Sequence, residues 1–196
     1  MANCLLLAFE NAKDLGDDLC LFKRVDAYGP LADIELTQPM NLHIFKQFFW
    51  IENYKKPKEK YATCIIYHPD IWGEPINWIR AIAAIAECVE GNIVCEFWMP
   101  SEIIAFNFFL TSIIKDNVRL LSAKKISSRS KIPNFRVEWK IRKTKNGMLS
   151  FYRRNKMSIM YDFYHTIGKL YWQLPFEEAE RMLNKKIHPH MRIIKL

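Results

Sequence analysis

Residues 135–154 read FRVEWKIRKTKNGMLSFYRR, and the expected fold turns on how this stretch pairs with itself. Phe135, Val137, Trp139 and Ile141 alternate strictly with Arg136, Glu138, Lys140 and Arg142. A period of two is the pattern of a half-buried strand. Asn146-Gly147 follows, a strong short hairpin signal, so a second antiparallel strand is expected over 148–154. A three-residue turn, Lys145-Asn146-Gly147, sets Ile141 opposite Phe151 and Glu138 opposite Arg154, keeping one face of the ribbon mostly apolar. A two-residue turn would mix the faces, because a slip of one residue turns every side chain over. The outer face then shows Arg136, Lys140, Arg142, Tyr152 and Arg154, with Lys143 and Lys145 at the tip.

Upstream, residues 122–131 form a serine-rich basic stretch holding Lys124, Lys125, Arg129 and Lys131, expected as an exposed loop that orders on binding. Downstream, helices are expected over 158–174 and from Pro175 onward, the latter with Glu177 and Glu178 in its first turn and Lys185 and Lys186 in its last. A final edge strand is expected over 191–196. In the first half, strands are expected over 4–9, 19–25, 31–37, 61–67 and 92–98. A helix over 42–52 precedes an exposed loop at 55–60. Another, over 76–90, starts at Pro75 and is stopped by Gly91, and a buried one spans 101–115. The expected fold is therefore α+β: one domain over 1–196, a mixed or antiparallel sheet, four to five helices and a basic C-terminal β-hairpin.

Charge divides the chain. Residues 1–116, rich in apolar side chains, hold 10 Lys and Arg against 16 Asp and Glu, a balance of −6. Residues 117–196 hold 19 against 5, a balance of +14, which gives the whole chain its +8. Such a basic half attracts polyanions. The expected partner is nucleic acid, RNA or single strands before duplex; an anionic membrane or an acidic protein fits the same charge, and self-association is open. With 50% hydrophobic residues, 6 glycines and 9 prolines in 196, the chain is neither disordered nor collagen-like. Its opening run lacks a basic leader and soon meets Glu10 and Asp14, so an intracellular protein is expected. Pro100 and Glu102 interrupt the most apolar stretch, 97–114, making it a poor membrane span.

These features point to a non-enzymatic nucleic-acid binder that uses Lys124, Lys125, Arg129, Lys131, Arg136, Lys140, Arg142, Lys143, Lys145 and Arg154 against phosphates, with Tyr152 stacking on a base. A peripheral membrane or viral matrix-type scaffold that self-associates is the alternative. A third reading is a Mg²⁺-dependent nuclease, from Glu138-Trp139-Lys140 with Asp70 as second carboxylate. Asp162 and His165, with Tyr161, make an acid–base pair or simply a half-buried histidine. The five cysteines form no C-x-x-C pair and read as buried reduced thiols; His188 and His190 read as part of a turn. No phosphate-binding loop, dinucleotide fingerprint, G-x-S-x-G or H-E-x-x-H occurs, so the sequence calls for no catalytic residue, cofactor or metal.

Overall fold

The computed structural model describes residues 2–8, 19, 21–28, 42–45, 60–126, 134–168 and 174–184. They build one seven-stranded sheet. Its strands are β1 (Asn3–Ala8), β2 (Arg24–Tyr28), β3 (Leu42–Phe45), β4 (Tyr61–Tyr67), β5 (Val89–Phe97), β6 (Val118–Ile126) and β7 (Asn134–Ile141), in the order β3-β2-β1-β4-β5-β7-β6. The first five run parallel, while β7 joins β5 antiparallel and β6 joins β7 antiparallel. Parallel neighbours need a crossover. Helix α1 (Pro75–Cys88) supplies it between β4 and β5; α2 (Pro100–Ile114) follows β5, and α3 (Met148–Thr166) and α4 (Phe176–Asn184) follow β7.

Burial explains the arrangement. Leu5, Leu6 and Leu7 in β1 and Cys64 through Tyr67 in β4 are buried without alternation, as strands covered on both faces must be. One face carries Leu5, Leu7, Cys64, Ile66, Cys95, Phe97, Val137 and Trp139 into the core beneath α1, α2 and α3. The other carries Cys4, Leu6, Val25, Ala27, Ile65 and Tyr67, packed with Leu19 and Phe22. Toward the β6 edge, β7 keeps the alternating pattern, with Val137, Trp139 and Ile141 buried and Lys140 exposed. Trp139 donates its indole N–H to Asn107 of α2 at 3.0 Å, tying that edge to the helical layer.

The α+β expectation is thus corrected to a doubly wound α/β sheet. Alternation over 135–141 marks only its antiparallel edge; the continuous apolar runs in β1 and β4 are what define the centre. The basic hairpin over 135–154 is corrected as well. Residues 148–154 open α3, because Met148, Tyr152, Ile159 and Phe163 are buried on one helical face. Gly147 adopts φ +83 as the residue before the helix, and its carbonyl accepts the Phe151 N–H at 2.9 Å. β7 pairs antiparallel with β5 on one side and β6 on the other, so 122–126 is strand and not loop. Segment 42–45 is a strand where the start of a helix over 42–52 was expected, and the strand expected over 19–25 lies at 24–28. Expected elements over 31–37, 46–52 and 191–196, and the end of the last helix at Lys185 and Lys186, lie outside the described residues.

Glu87 fixes the start of α3. Its Oε1 accepts the Leu149 N–H at 3.0 Å from a site only 6% exposed, so a carboxylate of α1 satisfies an otherwise unpaired amide at the positive end of α3. Glu87→Ala is expected to cost about 2 kcal/mol in urea unfolding; a loss below about 0.5 kcal/mol would show that α3 holds its start without it.

Candidate active site at the carboxyl edge of the sheet

Strand order places the site. From β1 the chain winds outward to β2 and β3, then crosses back to β4 and continues to β5. The strand order therefore reverses between β1 and β4, and it is outside the carboxyl ends of the strands at such a reversal that doubly wound folds take their ligands. Residues 67–74, YHPDIWGE, lead from β4 to α1 across this edge. Asp70 shapes the turn: its Oδ1 accepts the Gly73 N–H at 2.8 Å. Both α1 and α2 begin at the same edge, directing their positive N-terminal ends toward it.

His68 stands directly after β4. It is 3% exposed, and neither ring nitrogen has a hydrogen-bond partner among the described residues. Its ring centroid lies 3.7 Å from that of Trp98, which follows β5, and 4.1 Å from that of Tyr67, while its backbone N–H donates to the Glu96 carbonyl at 3.0 Å. Its φ is +47, a conformation few non-glycine residues adopt. Burial holds the imidazole pKa down at about 4 against an ordinary 6.5, so the ring is neutral at physiological pH. Asn134, opposite the end of β5 on β7, is also buried with its Oδ1 unpartnered among the described residues. Buried polar atoms lacking partners are costly, and in native folds they concentrate at functional sites. Beside them, cross-strand pairing lines up Tyr67, Glu96, Arg136 and Lys124 in one row from β4 to β6, with Arg136 reaching Glu96 at 3.4 Å.

The residues expected from the sequence divide between the two edges of the sheet. Lys124, Lys125 and Arg136 lie at the carboxyl edge, because Lys124 pairs with Arg136 and Lys125 with Phe135, beside Phe97. Lys140 lies toward the opposite edge, and exposed Arg142, Lys143 and Lys145 follow β7 there, where the Lys145 N–H meets the Ala86 carbonyl at the end of α1. Arg154 is exposed on α3 and donates to the Ser150 carbonyl. Tyr152 is 3% exposed with Arg80 5.7 Å from its ring centroid, so it stacks on no base. Arg129 and Lys131 lie outside the described residues. Glu138 pairs with Arg136 at 3.7 Å, not with Arg154. No metal-ligating group of three or more His, Cys, Asp or Glu occurs among the described residues, and the structure does not bring Asp70 and Glu138 into one. His165 is exposed against Tyr161. Cys4, Cys64, Cys88 and Cys95 are buried free thiols. No helix among the described residues is long and apolar enough to cross a membrane.

A mostly parallel sheet whose strand order reverses between β1 and β4 defines a Rossmann-like α/β class. Within that class the chain is similar to methyltransferases. A candidate methyltransferase from Thermoplasma acidophilum superposes with a TM-score of 0.50 over 75% of this chain and 70% of its own, at 11% identity. The 16S rRNA methylase RmtB gives a TM-score of 0.50 over 72% of this chain and 56% of its own, also at 11% identity. An rRNA methylase from Streptococcus thermophilus gives 0.49 over 72% and 88%, at 15% identity. No family model and no curated protein matches the sequence. The likeness shows the fold, and that fold overturns the basic hairpin on which the expectation of a non-enzymatic binder or matrix-type scaffold was built.

Proposed function

We propose that the chain is a methyltransferase that binds its methyl donor, S-adenosylmethionine, in the crevice between β1 and β4 and presents a nucleic-acid acceptor beside β4 and β5. The observation that carries this reading is a buried imidazole, without a hydrogen-bond partner among the described residues, at the switch point of a methyltransferase-type sheet. The residues at the carboxyl end of β4, which borders this crevice, fit such a donor. A neutral His68 offers one N–H and one lone pair to a nucleoside, and, being uncharged, it does not repel a sulfonium. Trp98 and Tyr67 supply aromatic rings, favourable next to a cation. The donor supplies an electrophilic methyl group. On the β1 side the sequence departs from a glycine-rich turn, since 9–23 holds only Gly16.

Nucleic acid as the acceptor is supported by the +14 balance of 117–196 and by the placement of Lys124 and Lys125 at the crevice edge. RmtB, which shares the fold, is an rRNA methylase. Calorimetric titration with S-adenosylmethionine, alongside transfer of a labelled methyl group to RNA, tests the reading. Binding is expected with wild-type protein and at least tenfold weaker binding with His68→Phe. A folded wild-type chain that takes up no donor at millimolar concentration would end it. For the acceptor, Lys124→Ala/Lys125→Ala should reduce the salt slope of RNA binding by about 1–2, each lost phosphate contact being worth about 0.7 on a single strand. Methyl transfer should fall with it, whereas Lys140→Ala/Arg142→Ala at the far edge should leave transfer near wild type. Equal loss in both pairs would argue for diffuse charge.

A further inference from the structure

Helix α3 carries a second face besides its buried one. Met157, Tyr161 and Tyr164 are 70%, 64% and 56% exposed, and they are three of the five large hydrophobic side chains exposed among the described residues. Spacings of four and three residues put them in one row along the helix. Exposed Arg153 and Arg154 continue that row toward the helix start, and at its other end the His165 ring lies 4.1 Å from the Tyr161 ring. Packing does not require these side chains, since Met148, Tyr152, Ile159 and Phe163 already bury the inner face.

The row has a direction. α3 begins beside Ala86 and Glu87, at the end of α1 remote from the crevice. It finishes where Phe163 packs 5.2 Å from Trp72, a residue of the turn that leads out of β4 past His68. Exposed cations thus give way to exposed aromatic rings as the helix approaches the crevice.

We propose that Arg153, Arg154, Met157, Tyr161 and Tyr164 form a track for single-stranded nucleic acid, whose bases stack on the two tyrosines and whose phosphates meet the arginines. This rests on the reading that the acceptor is nucleic acid. Charge favours that occupant over a second copy of the chain. Along α3, Arg153, Arg154 and Lys156 stand against the single carboxylate of Asp162, so two such faces repel each other while a polyanion is attracted. Phenol rings accept any base, because every base has a π-face.

Fluorescence anisotropy with a short labelled oligouridine tests the track on the full chain. Tyr161→Ala/Tyr164→Ala is expected to weaken binding by about a hundredfold, roughly tenfold per ring, with donor binding unchanged. Tyr161→Phe/Tyr164→Phe, which keeps both rings, is expected to stay within about twofold of wild type. Wild-type affinity in the alanine pair would overturn the track and leave the nucleic-acid acceptor standing. A wild-type chain that binds donor but no oligonucleotide would overturn both. Dissociation of a dimer by the alanine pair in sedimentation, with oligouridine affinity intact, would assign the row to self-association and overturn the proposal.

Discussion

Acidification from pH 6.5 to pH 4 is expected to remove about 3 kcal/mol of stability through His68 alone, and His68→Phe to abolish that part of the loss. The unfolded imidazole takes up a proton near pH 6.5, whereas in the fold burial holds its pKa at about 4. Between those values the unfolded chain binds more protons, so stability falls as pH falls through the window and the penalty is complete below pH 4. Carboxylates also begin to titrate there, and the informative quantity is the difference between wild type and variant in urea unfolding at pH 7 and pH 4.5. At pH 7 the phenyl ring keeps the packing against Trp98 and removes two buried nitrogens that lack partners among the described residues. Relief of that desolvation is worth about 1–3 kcal/mol, set against about 1 kcal/mol for a bulkier residue at positive φ. The variant should therefore be at least as stable as wild type at neutral pH while losing donor affinity. A residue kept for packing would show the reverse. Parallel pH profiles for the two proteins would mean that the ring is solvated and not enclosed by Tyr67 and Trp98.

Much of this architecture was legible. Strand 61–67, the helix from Pro75 and the strand reaching Phe97 stand in succession, and that succession is itself a parallel unit, since two strands bridged by a helix have no other convenient pairing. Leu5-Leu6-Leu7 and Ile65-Ile66 carry the same message, being too continuously apolar for a sheet with one wet face. What drew the reading toward an antiparallel ribbon was Asn146-Gly147. That dipeptide tolerates left-handed backbone equally well in a hairpin turn or just before a helix, and the burial of Met148 and Tyr152 on one helical face, with the contact between Glu87 and Leu149, decides between them. The basic half was legible as charge and not as a surface: the sheet sends Lys124, Lys125 and Arg136 to one edge and Arg142, Lys143 and Lys145 to the other. His68 had no motif to announce it. Its significance comes from the strand order, which puts the residue after β4 at the switch point, and from a burial that leaves both nitrogens unanswered among the described residues.

Gly91→Ala is expected to destabilise the fold by about 4 kcal/mol or more, enough to threaten a domain whose total stability is of the order of 5–15 kcal/mol. The sequence places this glycine where a helix would stop, yet α1 ends earlier, with an extended Val89, and Gly91 lies inside β5 at φ +150. A Cβ there would sit 2.0 Å from the Ala62 carbonyl oxygen on β4. The obstacle is backbone of a central strand, so no side-chain rotation relieves it; β4 and β5 must part near the register shift between Tyr61 and Thr63. Gly147→Ala provides the control, because Gly147 is also at positive φ but nothing lies within 4 Å of its added Cβ, and only the backbone preference of about 1 kcal/mol is at stake. A gap of about 3 kcal/mol between the two variants in chemical denaturation is the expected result. The same β4–β5 register carries His68 beside Glu96 and Trp98 at the other end of the strands. A Gly91→Ala protein as stable as Gly147→Ala would therefore mean that β5 pairs differently, and would displace the candidate site together with the strand.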